Sequence, residues 1–395
     1  MDFQSQAAIV FIILLALVLY ANRKKLQIQR IIYPVMYIAM YRTKVGLNLM
    51  DRAAKKFPRF FKYAGFAGVF IGFIGMGMIS YALVENIIKI MLDPSTPSGA
   101  ALVLPFKVKG ALYVPFFYWI ICIFILVIIH EFSHGVISRL YNVRIKSSGL
   151  AFLGIILPVV PAAFVEPEEK QLAKKPKKEQ LSVFAAGSFS NILLGFLCLA
   201  VFLLAFRPAI GAMVEDAGVR VVDLQKDDNI TFPAENAGIM PNEIITSIDG
   251  NPIRNSADLS DYLGNRSPGD VLNITTNRTS YVLTLAPHPQ NASQPILGIY
   301  LDDHGKVKES VEKRYGTFLP QAFLWFSGLI LWLFLLNVGI GLFNLAPIPI
   351  ADGGRMLFLA LLHYFDEKKT IMIWKFVATF FIMLVLVNIG IGFIK

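Results

Sequence analysis

Ile129-His130-Glu131-Phe132-Ser133-His134-Gly135 closes a run of fourteen uncharged, mostly bulky apolar residues, Phe116 to Ile129. Such a run reads as helix, and a spacing of four puts both imidazoles on one face with Glu131 one position along. Two histidines so placed, with the glutamate between them, suit a zinc site in which the glutamate is general base. Ionisable groups inside an apolar segment are costly unless they do something. The plainer alternative is a helix end where the histidines cap carbonyls and the glutamate reaches the membrane surface. With only five histidines in the chain, chance seldom produces the pattern.

The surroundings are those of an integral membrane protein. Of 395 residues, 55% are hydrophobic and 16% charged, and mean hydropathy is +0.59. Soluble domains carry roughly a quarter charged residues. A net charge of +10 suggests nucleic acid at first sight. The basic residues, however, flank apolar spans and are better read as topology determinants, so no nucleic-acid partner is expected. Cys122 and Cys198 both fall in apolar helices and read as small core side chains rather than a disulfide framework.

About six transmembrane helices are expected. Residues 7–20 are followed by Arg23-Lys24-Lys25, the reverse of a secretory signal, and read as a retained anchor. Residues 22–62 hold eleven Lys or Arg against one acid, Asp51, and are assigned to the cytoplasm. Within them, Ile31 to Met40 is apolar and expected to lie on the membrane surface. A second span, about 63–91, carries Gly65, Gly68, Gly72, Gly75 and Gly77, suited to close helix contact. The third, about 113–140, runs inward with the histidine pair. His130 lies roughly 20 Å past Phe116 in a hydrocarbon core about 30 Å thick, which submerges the site toward the cytoplasmic side. Gly149 to Pro167, broken by Pro158 and Pro161, is too short to span and reads as a re-entrant hairpin or strand pair. Spans of about 181–206, 318–345 and 371–394 follow.

Residues 207–315 differ, with fifteen acids against ten bases and alternating strands between Asp-Gly, Pro-Gly and Asn-rich turns. They are read as an extracytoplasmic β-rich domain. Four regions result: 1–112 with the anchor, basic segment and second span; 113–206; the domain 207–315; and 316–395. Five N-x-S/T sites (Asn229, Asn265, Asn273, Asn277, Asn291) fall in the domain.

A catalytic zinc needs a third protein ligand. Asp352, in Asn344-Leu-Ala-Pro347-Ile-Pro349-Ile-Ala-Asp352-Gly353-Gly354, is the best candidate, because span five ends on the side to which span three carries His134. Taken alone, the same aspartate reads as a cap on a helix from Arg355 to Leu362. Asn191, in Gly187-Ser-Phe-Ser-Asn191, and Asn344 are intramembrane amides that can hold a substrate backbone, stabilise an oxyanion or simply join helices. Asn337 shares a helix face with Asn344, and structural use is expected of it. His288, His304 and His363 show no ligand-like spacing.

Together, His130-Glu131-x-x-His134, Gly187-x-x-x-Asn191 and Asn344-x-x-Pro347-x-Pro349-x-x-Asp352-Gly353 resemble the site-2 protease family of intramembrane zinc metalloproteases, over roughly 113–206 and 318–362. The resemblance implies Zn2+ on His130, His134 and Asp352, Glu131 as base, and catalytic or binding roles for Asn191 and Asn344. It also implies a membrane-embedded hairpin near 149–165, a setting in a prokaryotic cell membrane, and transmembrane protein substrates of regulated intramembrane proteolysis. Ala351 stands where many members have Leu. Pro233 to Gly250 resembles a PDZ domain, with Asn242 for the usual glycine and Glu243 for the usual aspartate. Such a groove would take a peptide segment by strand addition, and the competing role is a plug over the protease.

Two other readings stand beside this one. In the first, a non-catalytic membrane protein binds peptides through its outer domain while the metal staples the bundle. In the second, a cytosol-facing metalloprotease of another H-E-x-x-H type takes Glu166, Glu168 or Glu179 as third ligand.

Overall fold

Apolar runs long enough to cross a bilayer fold as helix, since only a helix satisfies every backbone group within one segment. The computed structural model describes residues 3–32, 36–155, 157–226, 230–289 and 291–394. Among these, six helices are long and apolar enough to span: Phe3–Ala21, Pro58–Leu92, Phe116–Leu140, Lys177–Met213, Phe318–Phe343 and Glu367–Ile394. Each covers a span read from the sequence. Large exposed apolar side chains along them, Phe70, Leu197 and Phe376 among others, are what lipid contact requires.

The chain divides into two compact units, Met1–Phe202 with Ser327–Lys395, and Leu203–Phe326. It opens with α1 (Phe3–Ala21), β1 (Gln27–Ile32), β2 (Met36–Thr43), α2 (Leu47–Lys56) and α3 (Pro58–Leu92). Next come β3 (Leu102–Leu104), β4 (Ala111–Tyr113), α4 (Phe116–Leu140), β5 (Ile145–Ile155), β6 (Leu157–Pro167), α5 (Glu169–Ala173) and α6 (Lys177–Val201). The second unit holds α7 (Arg207–Met213), β7 (Val214–Leu224), α8 (Pro233–Asn236), β8 (Ile244–Ile248), β9 (Asn251–Pro252) and α9 (Ser256–Gly264). It continues with β10 (Val271–Thr276), β11 (Ser280–Thr284), β12 (Ala286–His288), β13 (Asn291–Ile296), β14 (Ile299–Val307) and α10 (Glu309–Tyr315). Last are α11 (Phe318–Phe343), α12 (Asp352–Tyr364) and α13 (Glu367–Ile394).

In the first unit, α3 lays four of its glycines against neighbours. An added Cβ would meet Ser182 at Gly65, Phe189 at Gly68, Met356 at Gly72 and Leu345 at Gly75. Their spacing forms one helix stripe, so α3 approaches α6 and α12 closely. Gly77 faces open space and takes no part. α4 stops where Asn142 adopts φ +56°, a left-handed residue that ends the helix and turns the chain into β5.

β1, β2, β5 and β6 form an antiparallel sheet in that order, with Ala39 opposite Phe152 and Ser148 opposite Val165. The described part of Ile31 to Met40 is strand: it belongs to the β1–β2 hairpin, which extends the β5–β6 pair. Residues 33–35 of that segment and Ile156 of the second hairpin lie outside the described residues, as does the Asn229 sequon. β6 is an edge strand, which accommodates its three prolines.

The second unit is a sheet of order β11-β10-β8-β7-β14, with β9 paired to β8. Its core gathers Val219, Ile245, Ile248, Leu259, Leu272 and Ile274, each at most 1% exposed. Asn242 sits at φ +73°, the left-handed conformation its amide side chain tolerates. Glu243 is buried, accepting hydrogen bonds from Thr276 Oγ1 at 2.7 Å and Tyr281 OH at 2.8 Å.

Candidate metal centre

His130 and His134 lie one turn apart on α4, and Asp352 opens α12. The turn joining α11 to α12 brings the aspartate in: Gly353 N–H donates to Asn344 O at 2.9 Å, closing the loop on itself. An added Cβ would overlap the Leu345 carbonyl at Gly353 and the Ile348 carbonyl at Gly354. These glycines therefore serve close backbone approach. Asp352 is the first residue of α12, with Ala351 at the N-cap position.

His130 Nε2 and His134 Nε2 are 3.1 Å apart, and Asp352 Oδ2 lies 3.3 Å from each. A tetrahedral zinc with bonds of about 2.05 Å has ligand–ligand edges of about 3.3 Å. The three atoms thus form one face of a zinc-sized tetrahedron. Without a cation, two imidazole nitrogens at this distance can share only one hydrogen between them. This is the one His/Cys/Asp/Glu group of ligand geometry among the described residues. Of the rival third ligands, Glu166 is paired with Arg42 and Ser147, and Glu168 with Lys146.

His130, His134, Asp352, Glu131 and Asn344 line one cavity of about 1080 Å³. Its walls include Ala162 to Pro167 of β6, along with Trp374 and Arg355. Glu131 Oε2 accepts the backbone N–H of Val165 at 2.8 Å, which ties it to the edge strand. Asn191 does not line the cavity. It is fully buried behind His130, its carboxamide 3.2 Å from Nδ1. Asn337 is likewise fully buried, donating to the Leu333 carbonyl of its own helix.

Sequence reasoning did not single out Ser188 or the Val183 carbonyl. Ser188 Oγ–H donates to Asp352 Oδ2 at 3.1 Å, and His134 Nδ1–H donates to Val183 O at 2.6 Å. Both lie on α6 beside Gly187, where an added Cβ would overlap both Nε2 atoms. The signal available was the Gly187-x-x-x-Asn191 spacing, which marks that face of the helix.

A family model described as Peptidase family M50 matches residues 118–387. An uncharacterized protein of Methanocaldococcus jannaschii is 24% identical, over 88% of this chain and 84% of its own. Zinc metalloprotease RasP of Oceanobacillus iheyensis is also 24% identical, over 50% of this chain and 54% of its own length. Among solved structures, the PDZ domain of an SdrC-like protein from Listeria monocytogenes is 29% identical over 22% of this chain and 87% of that domain, with a TM-score of 0.19.

Proposed function

The chain belongs to peptidase family M50, the site-2 protease family, and from that premise we propose that it is a zinc endopeptidase cutting membrane-spanning segments of other proteins within the bilayer. The observation that carries this is the face of His130, His134 and Asp352 beside Glu131, at the wall of a cavity bounded by an edge strand. When bound to these three ligands, zinc supplies Lewis acidity toward a carbonyl and lowers the pKa of water. Glu131 takes the proton released on attack and returns it to the departing amine. Asn344, on the cavity wall, can donate its amide N–H to the substrate backbone or to negative charge developing on it.

A substrate helix must unwind first, because its carbonyls are hydrogen-bonded within the helix. The outer edge of β6 offers the unwound segment a strand to pair with. The basic stretches 22–62 and 174–178 support a site toward the cytoplasmic face and a β-rich domain, 207–315, outside the cell membrane. That outer unit, read as PDZ-like from its sequence, holds or screens an extracytoplasmic segment of the substrate.

The test reconstitutes the protein in vesicles with a membrane-spanning substrate. Cleavage that depends on added zinc and maps within the apolar segment of the substrate is expected. Cleavage confined to soluble loops would overturn the reading in favour of a cytosol-facing metalloprotease, and a Glu131→Gln protein that complements a deletion strain would overturn it in favour of a binding role.

A further inference from the structure

Each of the three ligand side chains has one further polar partner, and all three partners are on α6. Val183 O accepts from His134 Nδ1, Ser188 Oγ donates to Asp352 Oδ2, and the Asn191 amide meets His130 Nδ1. Positions 183, 187, 188 and 191 make a single helix stripe. Its middle must stay bare, because any Cβ at Gly187 would enter the ligand cluster. Ser188 and Asn191 are fully buried, beyond the reach of a substrate in the cavity.

We infer that α6 is the outer shell of the zinc site and that Ser188 and Asn191 are positioning residues, each orienting one ligand. The inference rests on the zinc reading above and reassigns Asn191 from substrate contact to ligand support. The chemistry follows from the imidazole. A histidine that ligates through Nε2 carries its hydrogen on Nδ1, and that hydrogen needs an acceptor. Asn191 Oδ1 is buried without a hydrogen-bond partner, while Nδ2 faces His130. A half-turn of the amide, which leaves its shape unchanged, sets Oδ1 on Nδ1–H. For Asp352, the Ser188 hydroxyl occupies a second lone pair of the ligating oxygen and holds the carboxylate plane.

The experiment measures zinc affinity of the full-length chain in detergent by chelator competition, with the visible spectrum of the cobalt-loaded protein as a second readout. Ser188→Ala and Asn191→Ala are expected to weaken zinc by about 10- to 100-fold each and to shift the cobalt bands. Asn191→Asp, which keeps an acceptor, should recover most of the affinity lost in the alanine variant. Ser182→Ala serves as control: this buried serine on the same helix donates to the Lys178 carbonyl, outside the ligand cluster, and its loss should leave affinity unchanged. Ser188→Ala removes a single oxygen atom, so its affinity decides even if Asn191 variants fold poorly. Wild-type affinity with unshifted bands in Ser188→Ala overturns the inference alone. A wild-type chain that binds no zinc overturns the zinc reading and this inference with it.

Discussion

Val165 N–H donates to Glu131 Oε2 across 2.8 Å, joining the proposed base to the outer edge of β6. α4 and β6 lie side by side, so the carboxylate is held at the wall where an added substrate strand would run. Glutamine at 131 keeps the size of the side chain and an acceptor for Val165, but it cannot take up a proton. Glu131→Gln should retain zinc at the wild-type ratio while cleavage falls by about 10²- to 10⁴-fold. Metal analysis and a gel-based cleavage assay on one preparation check both halves; unchanged cleavage removes Glu131 from the mechanism.

The third ligand is separable from its rivals by metal content. Asp352→Ala takes away one of three converging atoms and should leave the purified chain nearly free of zinc. Glu166→Ala and Glu168→Ala break ion pairs with Arg42 and Lys146 and should leave the metal in place. Zinc lost from the glutamate variants but kept in Asp352→Ala would point to a different centre.

Glycine 187 is a requirement of space. Gly187→Ala drives a methyl group into both Nε2 atoms and should abolish zinc binding in a chain that still folds. Gly77→Ala, where nothing lies within 4 Å, should bind zinc normally. Chelator competition on the two proteins makes the comparison.

In the second unit, Glu243 is the shared acceptor for Thr276 and Tyr281 and lies 3.7 Å from Arg278. Glu243→Ala strands these donors in a largely buried place and should destabilise the unit by about 1–3 kcal/mol. Hydrogen exchange should rise in β8, β10 and β11, with zinc content unchanged. Native protection in those strands would show that the cluster carries no stability.

The histidine of β14 supplies a pH dependence. Burial, and next the Arg220 guanidinium that donates to His304 Nδ1 at 2.8 Å, hold its pKa below the ordinary value of 6.5. The unfolded chain therefore takes up this proton first. The contribution to stability is complete above 6.5 and declines as pH falls below it. Exchange protection of β7 and β14 should be lower at about pH 5.5 than at about pH 7.5, and His304→Asn should flatten the difference. A slope of the opposite sign contradicts the assignment.

Much of the centre can be read without coordinates because its chemistry is local. The four-residue histidine spacing, the adjacent glutamate and the Pro-x-Pro run before Asp352 are short-range facts, and helix geometry turns them into ligand positions. Apolar length likewise picks out six helices, among the described residues, long and apolar enough to span, because lipid offers the backbone no way but a closed set of hydrogen bonds. Other properties depend on partners far away in the chain. Met36 to Met40 becomes strand because β5 lies beside it, a pairing its own residues do not announce. Asn191 is a polar residue on an apolar helix, and nothing in its neighbours says whether it faces substrate or ligand. The rotation of α6, set where Gly65, Gly68 and Gly72 of α3 press against its other side, turns Asn191 toward His130 and Ser188 toward Asp352. A spacing along one helix says which residues share a face. Where that face points is settled by packing between helices, and that is why the candidate ligands were visible in the amino-acid order while the direction faced by Asn191 and Ser188 was not.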